Sequence, residues 1–299
     1  MAVIQFKSST CRNLNFLVFF WALSFLCLDF SSAFIKGDRT PRNLTRIVHF
    51  PFADASAVID TRTRHGAFWD LVESESWEPT TFLVFNTVIT HLTTVIDFGA
   101  WIGPTALYAA HFAKQVYALE PDIVAYKEAH RNINLNADRL PNIHLYHKCI
   151  STKREAVKMN PGPTAPGDSM STINRSAMIG IPVQCDTLSQ LAIDFHLQVP
   201  VFVKVDTEGL EAELVPSWSD FIEIFTPTIF LSMHQQLRKY SKIDEANVLR
   251  ILRMFPYALE VSGCARCDNI FTSVFFNKTE TKLCINCDYL LSFKRFFVN

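Results

Sequence analysis

Residues 93–122 read TTVIDFGAWIGPTALYAAHFAKQVYALEPD, and the fold turns on how this stretch is parsed. A β-prone run, VIDF, carries Asp97 and leads through Gly99 and Trp101 to Gly103. A helical pattern, TALYAAHFA, follows, and a second apolar run, VYAL, ends at Glu120. Strand, glycine turn, helix and strand make one βαβ unit, the building block of a parallel sheet. The turn sets backbone N–H groups and a helix N-terminus at the carboxyl edge of the sheet, where open α/β folds bind ligands. It lacks the G-x-G-x-x-G of a dinucleotide site and contains an acid instead. A pyrophosphate beside a bare Asp97 would be repelled, so the turn suits a ligand with a positive charge or hydrogen-bond donors. Glu120 is placed to accept from the 2′- and 3′-hydroxyls of a ribose.

A nucleoside that carries an amino acid in place of phosphates satisfies both acids, and S-adenosylmethionine is that molecule. Each acid also has an ordinary structural use: Asp97 as an N-cap, Glu120 as an exposed strand end before Pro121. Two acids at successive strand ends, with Gly99 and Gly103 between them, form a more specific pattern than either alone.

The alternation continues downstream. HLYHKCI to Ile150, IPVQC to Cys185, VFVKV to Val205 and TIFLSM to Met233 read as strands. IVAYKEAHRNINLN, TLSQLAIDFH and EANVLRILRMF read as helices between them. VFVKV is apolar on both faces, as a sheet covered on both sides requires. Residues 158–176, rich in Pro, Gly and Ser, predict a loop or irregular hairpin beside the sheet. Residues 34–92 predict a helical lead-in with aromatic anchors, and residues 93–299 the main domain, whose β-rich, cysteine-bearing tail (257–299) joins the same sheet. The fold class is α/β, with a mostly parallel sheet and helices on both faces.

The net charge of -1 over 299 residues offers no basic footprint for nucleic acid. The 49% hydrophobic content is raised by a local feature, residues 13–34, NLNFLVFFWALSFLCLDFSSAF, whose apolar core runs from Phe16 to Leu28 behind Lys7 and Arg12. That core falls short of the roughly 20 residues a membrane span needs. It fits a signal peptide over residues 1–33, with Ser31 and Ala33 as the small residues before a cut at Phe34; a retained signal anchor is the alternative. Asn43, Asn174 and Asn277 each begin an N-x-[ST] triplet. The expected place is the secretory pathway, lumenal, secreted or held by a single N-terminal anchor, where thiols oxidise.

Together VIDFGAWIGPTALYAA, ALEPD, NINLN and VKVDTEGLEAEL resemble the FkbM-type branch of the class I S-adenosylmethionine-dependent methyltransferases, over most of residues 69–233. The resemblance implies a Rossmann-like, mostly parallel seven-stranded sheet with one reversed strand. It implies O-methyl transfer, to a hydroxyl on a sugar or other small polar acceptor. It also implies that Asp97, Gly99 and Gly103 line the cofactor's amino-acid end and that Glu120 holds its ribose. Trp101, Pro121 and Asp122 complete the expected cofactor-contacting set, with Trp101 where the family commonly has a small polar residue.

In VFVKVDTEGLEAE, Asp206 ends a central strand, and Glu208 and Glu211 follow in the first turn of a helix. Acids favour helix N-termini by roughly 0.3–1 kcal/mol, which is one account of them. The chemical account sets Asp206 and Glu208 beside the transferring methyl, holding the acceptor in line and taking its proton. His234 ends the next strand and is a further candidate base or acceptor ligand. In the tail, Cys264-x2-Cys267 and Cys284-x2-Cys287 have the spacing of a structural four-sulfur zinc site; disulfides across the hairpin are the alternative. Cys149 and Cys185, in strand-like runs, are expected to be buried small hydrophobes. Two other readings accompany the enzyme: a nicotinamide oxidoreductase, against which the missing G-x-G-x-x-G counts, and an inactive binding module on the same fold.

Overall fold

The structure, a computed structural model, describes residues 44–160, 166–174, 180–234, 240–261 and 287–294, all within one compact unit, Asn43–Asn299. The leader at residues 1–33, Asn43, Asn277, Cys264, Cys267 and Cys284 lie outside the described residues. No helix among the described residues is long and apolar enough to cross a membrane.

The lead-in begins with a hairpin that the helical expectation omitted: β1 (Thr45–His49) pairs antiparallel with β2 (Ser56–Asp60). Val48, Ala57 and Ile59 are buried, while Arg46 turns outward to bind Asp70 and Glu73. Helices α1 (Phe68–Glu73) and α2 (Pro79–Val88) follow. The repeating part comprises β3 (Thr94–Phe98), α3 (Pro104–Ala110), β4 (Gln115–Leu119), α4 (Ile123–Asn134) and β5 (Ile143–Tyr146). Next come β6 (Cys149–Ile150), β7 (Glu155–Asn160), β8 (Thr172–Asn174), β9 (Ile181–Asp186) and α5 (Leu188–Asp194). The chain then forms β10 (Val201–Val205), α6 (Glu211–Leu214), a 3-10 turn (Val215–Trp218), α7 (Ser219–Phe225), β11 (Thr228–Ser232) and α8 (Lys242–Leu252). It ends with β12 (Tyr257–Glu260) and β13 (Asp288–Ser292).

Seven strands form the main sheet in the order β12-β13-β11-β10-β3-β4-β5. All neighbours from β11 to β5 are parallel; β13 runs antiparallel to both β11 and β12. Alternate residues feed two cores. Ile96, Phe98, Val203 and Val205 pack with Leu191, Trp218, Phe221 and Leu249 on one face. Val95 and Phe202 pack with Phe82, Phe85, Leu107 and Tyr108 on the other. With period-2 side chains buried on both sides, the central strands are apolar throughout. The exceptions are Asp97 and Lys204, register partners on β3 and β10.

A second sheet, of order β6-β9-β7-β8, divides what the sequence suggested was one strand. HLYHKCI supplies β5 to the main sheet and β6 to this one, and IPVQC becomes β9 here rather than a strand of the main sheet. Cys149 and Cys185 are register partners across β6 and β9 and form a disulfide. They are buried as expected but joined, because paired strands hold their β-carbons within bonding reach. Cys287 is also disulfide-bonded, in line with the disulfide alternative for the tail.

Candidate active site

A cavity opens at the carboxyl ends of β3, β4 and β10, the edge at which open α/β folds bind ligands. Its first wall is the turn after β3. Gly99 has φ +80, and a β-carbon there would lie 2.0 Å from the carbonyl oxygen of Asp206, so only glycine lets the two strand ends approach this closely. Trp101 takes φ 46, which turns its backbone N–H onto Glu120 Oε2 at 2.7 Å. Its indole Nε1–H donates to the Gly167 carbonyl at 2.9 Å. Glu120 Oε1 accepts from the Asp122 N–H at 2.7 Å. Burial pushes Glu120 up to about 8, against the pull of those two donors.

Gly99, Trp101, Glu120, Pro121, Asp206, Glu208 and His234 all line the cavity, as do Asp168, Ser169 and Ser171 of the segment beside the sheet. Three expected residues do not. Asp97 is fully buried: Oδ2 accepts from Thr105 Oγ1 at 2.6 Å, and Oδ1 lies 3.4 Å from Lys204 Nζ. A buried carboxylate needs a partner, and Lys204 supplies it. Thr105 and Lys204 face the cavity in its place, so this acid is not the one that would repel phosphate. Gly103, at φ 97, is the left-handed N-cap of α3. Asp122 caps α4 through Val124 N–H and ties down Gly167 N–H and Ser171 Oγ through its other oxygen. The sequence reading passed over Glu78, from the lead-in, and Lys148, from the bend between the sheets; both also line the cavity. An acid before proline, EPTT, was the available signal for Glu78.

The opposite wall is built on β10 and β11. Lys204 Nζ donates to Gly99 O and to Asp206 Oδ2, each at 3.1 Å. Burial opposes its charge, but Asp206 and Asp97 outweigh burial and raise its pKa. Glu208 and Gly209 both adopt positive φ, 54 and 101. Glu211, itself fully buried, holds that turn: Oε1 accepts from Thr207 N–H, Thr207 Oγ1 and Gly209 N–H at 3.0–3.1 Å, and Oε2 from Tyr240 at 2.6 Å. The turn brings Asp206 and Glu208 together with His234. His234 Nε2 stands 3.6 Å from Asp206 Oδ1, and its Nδ1 3.4 Å from Glu211 Oε1. Burial disfavours an imidazolium, yet Glu211, Asp206 and Glu208 prevail and raise His234 to about 10. Burial likewise opposes the Glu211 charge, but the His234 and Tyr240 donors hold it down at about 2. Burial, then the Asp206 charge, push Glu208 up to about 8.

A parallel sheet with one reversed strand next to its edge, ligand turn after the first strand of the repeat and carboxylates at the ends of the central strands, defines a class I methyltransferase fold. The family model for the methyltransferase FkbM domain matches residues 97–258, more than half of the chain, and the chain belongs to that family. Solved structures similar to it include the methyltransferase FkbM of Methylobacillus flagellatus, at 15% identity and TM-score 0.43, covering 75% of this chain and 53% of that one. This chain therefore spans about half the length of that protein. An rRNA methylase of Streptococcus thermophilus aligns at 10% identity and TM-score 0.35, over 72% of this chain and 95% of that one. A Streptococcus mutans protein, described as a methyltransferase and crystallised with SAH, aligns at 10% identity and TM-score 0.37, over 72% and 96%. No curated protein matches the sequence.

Proposed function

We propose that the chain is an S-adenosylmethionine-dependent O-methyltransferase acting on a hydroxyl of a sugar or other small polar acceptor. One observation carries the reading: a single cavity has the Gly99–Trp101–Glu120 turn on one wall and Asp206, Glu208 and His234 on the other. The residues present fit the cofactor. Gly99, Ala100 and Trp101 bring the turn's main chain to the cavity wall, Glu120 offers carboxylate oxygens to a ribose, and Ile150, Met159 and Ile173 give an apolar bed for a planar base. When bound, S-adenosylmethionine supplies an electrophilic methyl carbon, and the carbon–sulfur pair stays on sulfur as the acceptor oxygen takes the methyl. Asp206 and Glu208 hold the acceptor oxygen in line and receive its proton. Lys204 keeps Asp206 fixed, and the Glu211 turn keeps Glu208 aimed inward.

The Cys149–Cys185 disulfide supports a lumenal or secreted setting, and Cys287 favours bridges over zinc in the tail. Ligands that bind the native state raise its melting temperature. S-adenosylmethionine and S-adenosylhomocysteine should therefore raise that of the full chain, NAD should not, and Glu120→Ala should abolish the response. A shift with NAD alone would transfer the case to an oxidoreductase.

A further inference from the structure

Asp206, Glu208 and His234 converge on one point from the ends of two adjacent parallel strands, β10 and β11. One nitrogen or oxygen from each lies within 4.8 Å of the others. The 3.6 Å between Asp206 Oδ1 and His234 Nε2 exceeds a hydrogen bond. It matches two ligands about 2.1–2.3 Å from a common ion at an open angle. Asp206 Oδ1 is shielded from solvent and accepts no hydrogen bond among the described residues, while Oδ2 is held by Lys204. The cation that faces it, His234, stops at 3.6 Å, beyond a hydrogen bond, which leaves room for an ion between the two. Behind the imidazole, Nδ1 faces Glu211, a carboxylate fixed by four donors of its own. At 3.4 Å, with no hydrogen bond formed by Nδ1 among the described residues, that carboxylate acts on the ring through its charge.

We propose that Asp206, Glu208 and His234 bind one divalent cation on the acceptor side of the cavity. Carboxylates favour Mn²⁺ and Mg²⁺, and the imidazole shifts the mixed set toward Mn²⁺. Three protein ligands leave coordination positions open to the cavity that all three side chains line, so an acceptor hydroxyl can join the ion and be held by it. The acceptor role, though not the ion binding, rests on the methyl-transfer reading above.

The test is titration of the metal-stripped full chain with Mn²⁺, followed by the paramagnetic resonance of the free ion. One ion per chain is expected, with affinity reduced tenfold or more in Asp206→Asn and in His234→Gln. Glu208→Gln gives the same comparison should either variant fail to fold. No saturable uptake overturns the site, and so does equal affinity in wild type and folded variants. Melting shifts with S-adenosylhomocysteine on the same samples separate the two readings. A shift without Mn²⁺ uptake overturns the ion site alone; Mn²⁺ uptake without a shift supports the ion and overturns methyl transfer.

Discussion

Glu120 and Asp97 show how one residue type at two strand ends reaches two fates. Both were legible as candidate acids, because each closes an apolar run at the edge where ligands bind. What the sequence could not tell was that Lys204, one strand away, lies opposite Asp97 in the register and neutralises it. Glu120 forms no such ion pair among the described residues and keeps its place on the cavity wall. Its pKa, about 8 in the fold against an ordinary 4.5, means the folded chain holds this proton more tightly than the unfolded one. The group therefore favours folding at acidic pH, and that contribution falls as pH rises from about 4.5 to 8. Glu120→Gln, fixed in the neutral form, should lack the decline, so its melting temperature should gain on wild type between pH 5 and pH 8.5. Ribose hydroxyls favour the ionised form, so S-adenosylhomocysteine binding at pH 7 should release close to one proton. Calorimetry in buffers of different ionisation enthalpy measures that release, and Glu120→Gln should show none. At Gly99, alanine meets both a left-handed backbone and the Asp206 carbonyl. The backbone alone costs on the order of 1–3 kcal/mol, and Gly99→Ala should also lose the cofactor-induced melting shift.

Among the elements, β3, β4, β10 and β11 were readable because each is covered on both faces and so is apolar over most of its length, Asp97 and Lys204 standing out as the charged exceptions. The β1–β2 hairpin was not, since β1 buries only Val48 and both five-residue strands sit in a polar, Arg-rich context. HLYHKCI misled for a different reason: an apolar pattern carries no mark of where a strand leaves one sheet for another. The turn after β10 was half legible. VDTEGLE announced a strand end followed by acids, but it ranked Glu211 as a helix-terminus acid rather than the buried acceptor that shapes the turn. Its donors reach it from Thr207, Gly209 and Tyr240. Glu211→Ala takes the acceptor from the Thr207 and Gly209 donors that shape the turn. Unpaired buried polar groups cost about 1–3 kcal/mol, so a loss of about 3 kcal/mol is expected in urea unfolding, together with loss of turnover. A variant of wild-type stability would show that the turn holds without its carboxylate.

At the scale of the whole molecule, the two sheets meet along the bend that runs from β5 through Lys148 into β6, and that bend is also a wall of the cavity, through Lys148, Cys149 and Ile150. Two links tie it to β9. Asp186, fully buried, takes Lys148 and Arg154 as partners; burial opposes its charge, but both hydrogen bonds outweigh burial and lower its pKa. That contribution is present above the ordinary carboxylate range and disappears as pH falls through the lowered value. The covalent link, Cys149–Cys185, closes a loop with a sequence separation of 36. Restricting the unfolded chain over such a loop contributes about 3–4 kcal/mol in the loop-entropy account. The double substitution Cys149→Ala, Cys185→Ala should lower stability by about that amount in urea unfolding. Because the freed bend lines the cavity, the same variant should bind S-adenosylhomocysteine more weakly even where it remains folded. Unchanged affinity with lowered stability would mean that the main sheet positions this wall unaided. Unchanged stability would mean that the Asp186 pairs and the strand ladder already hold the joint.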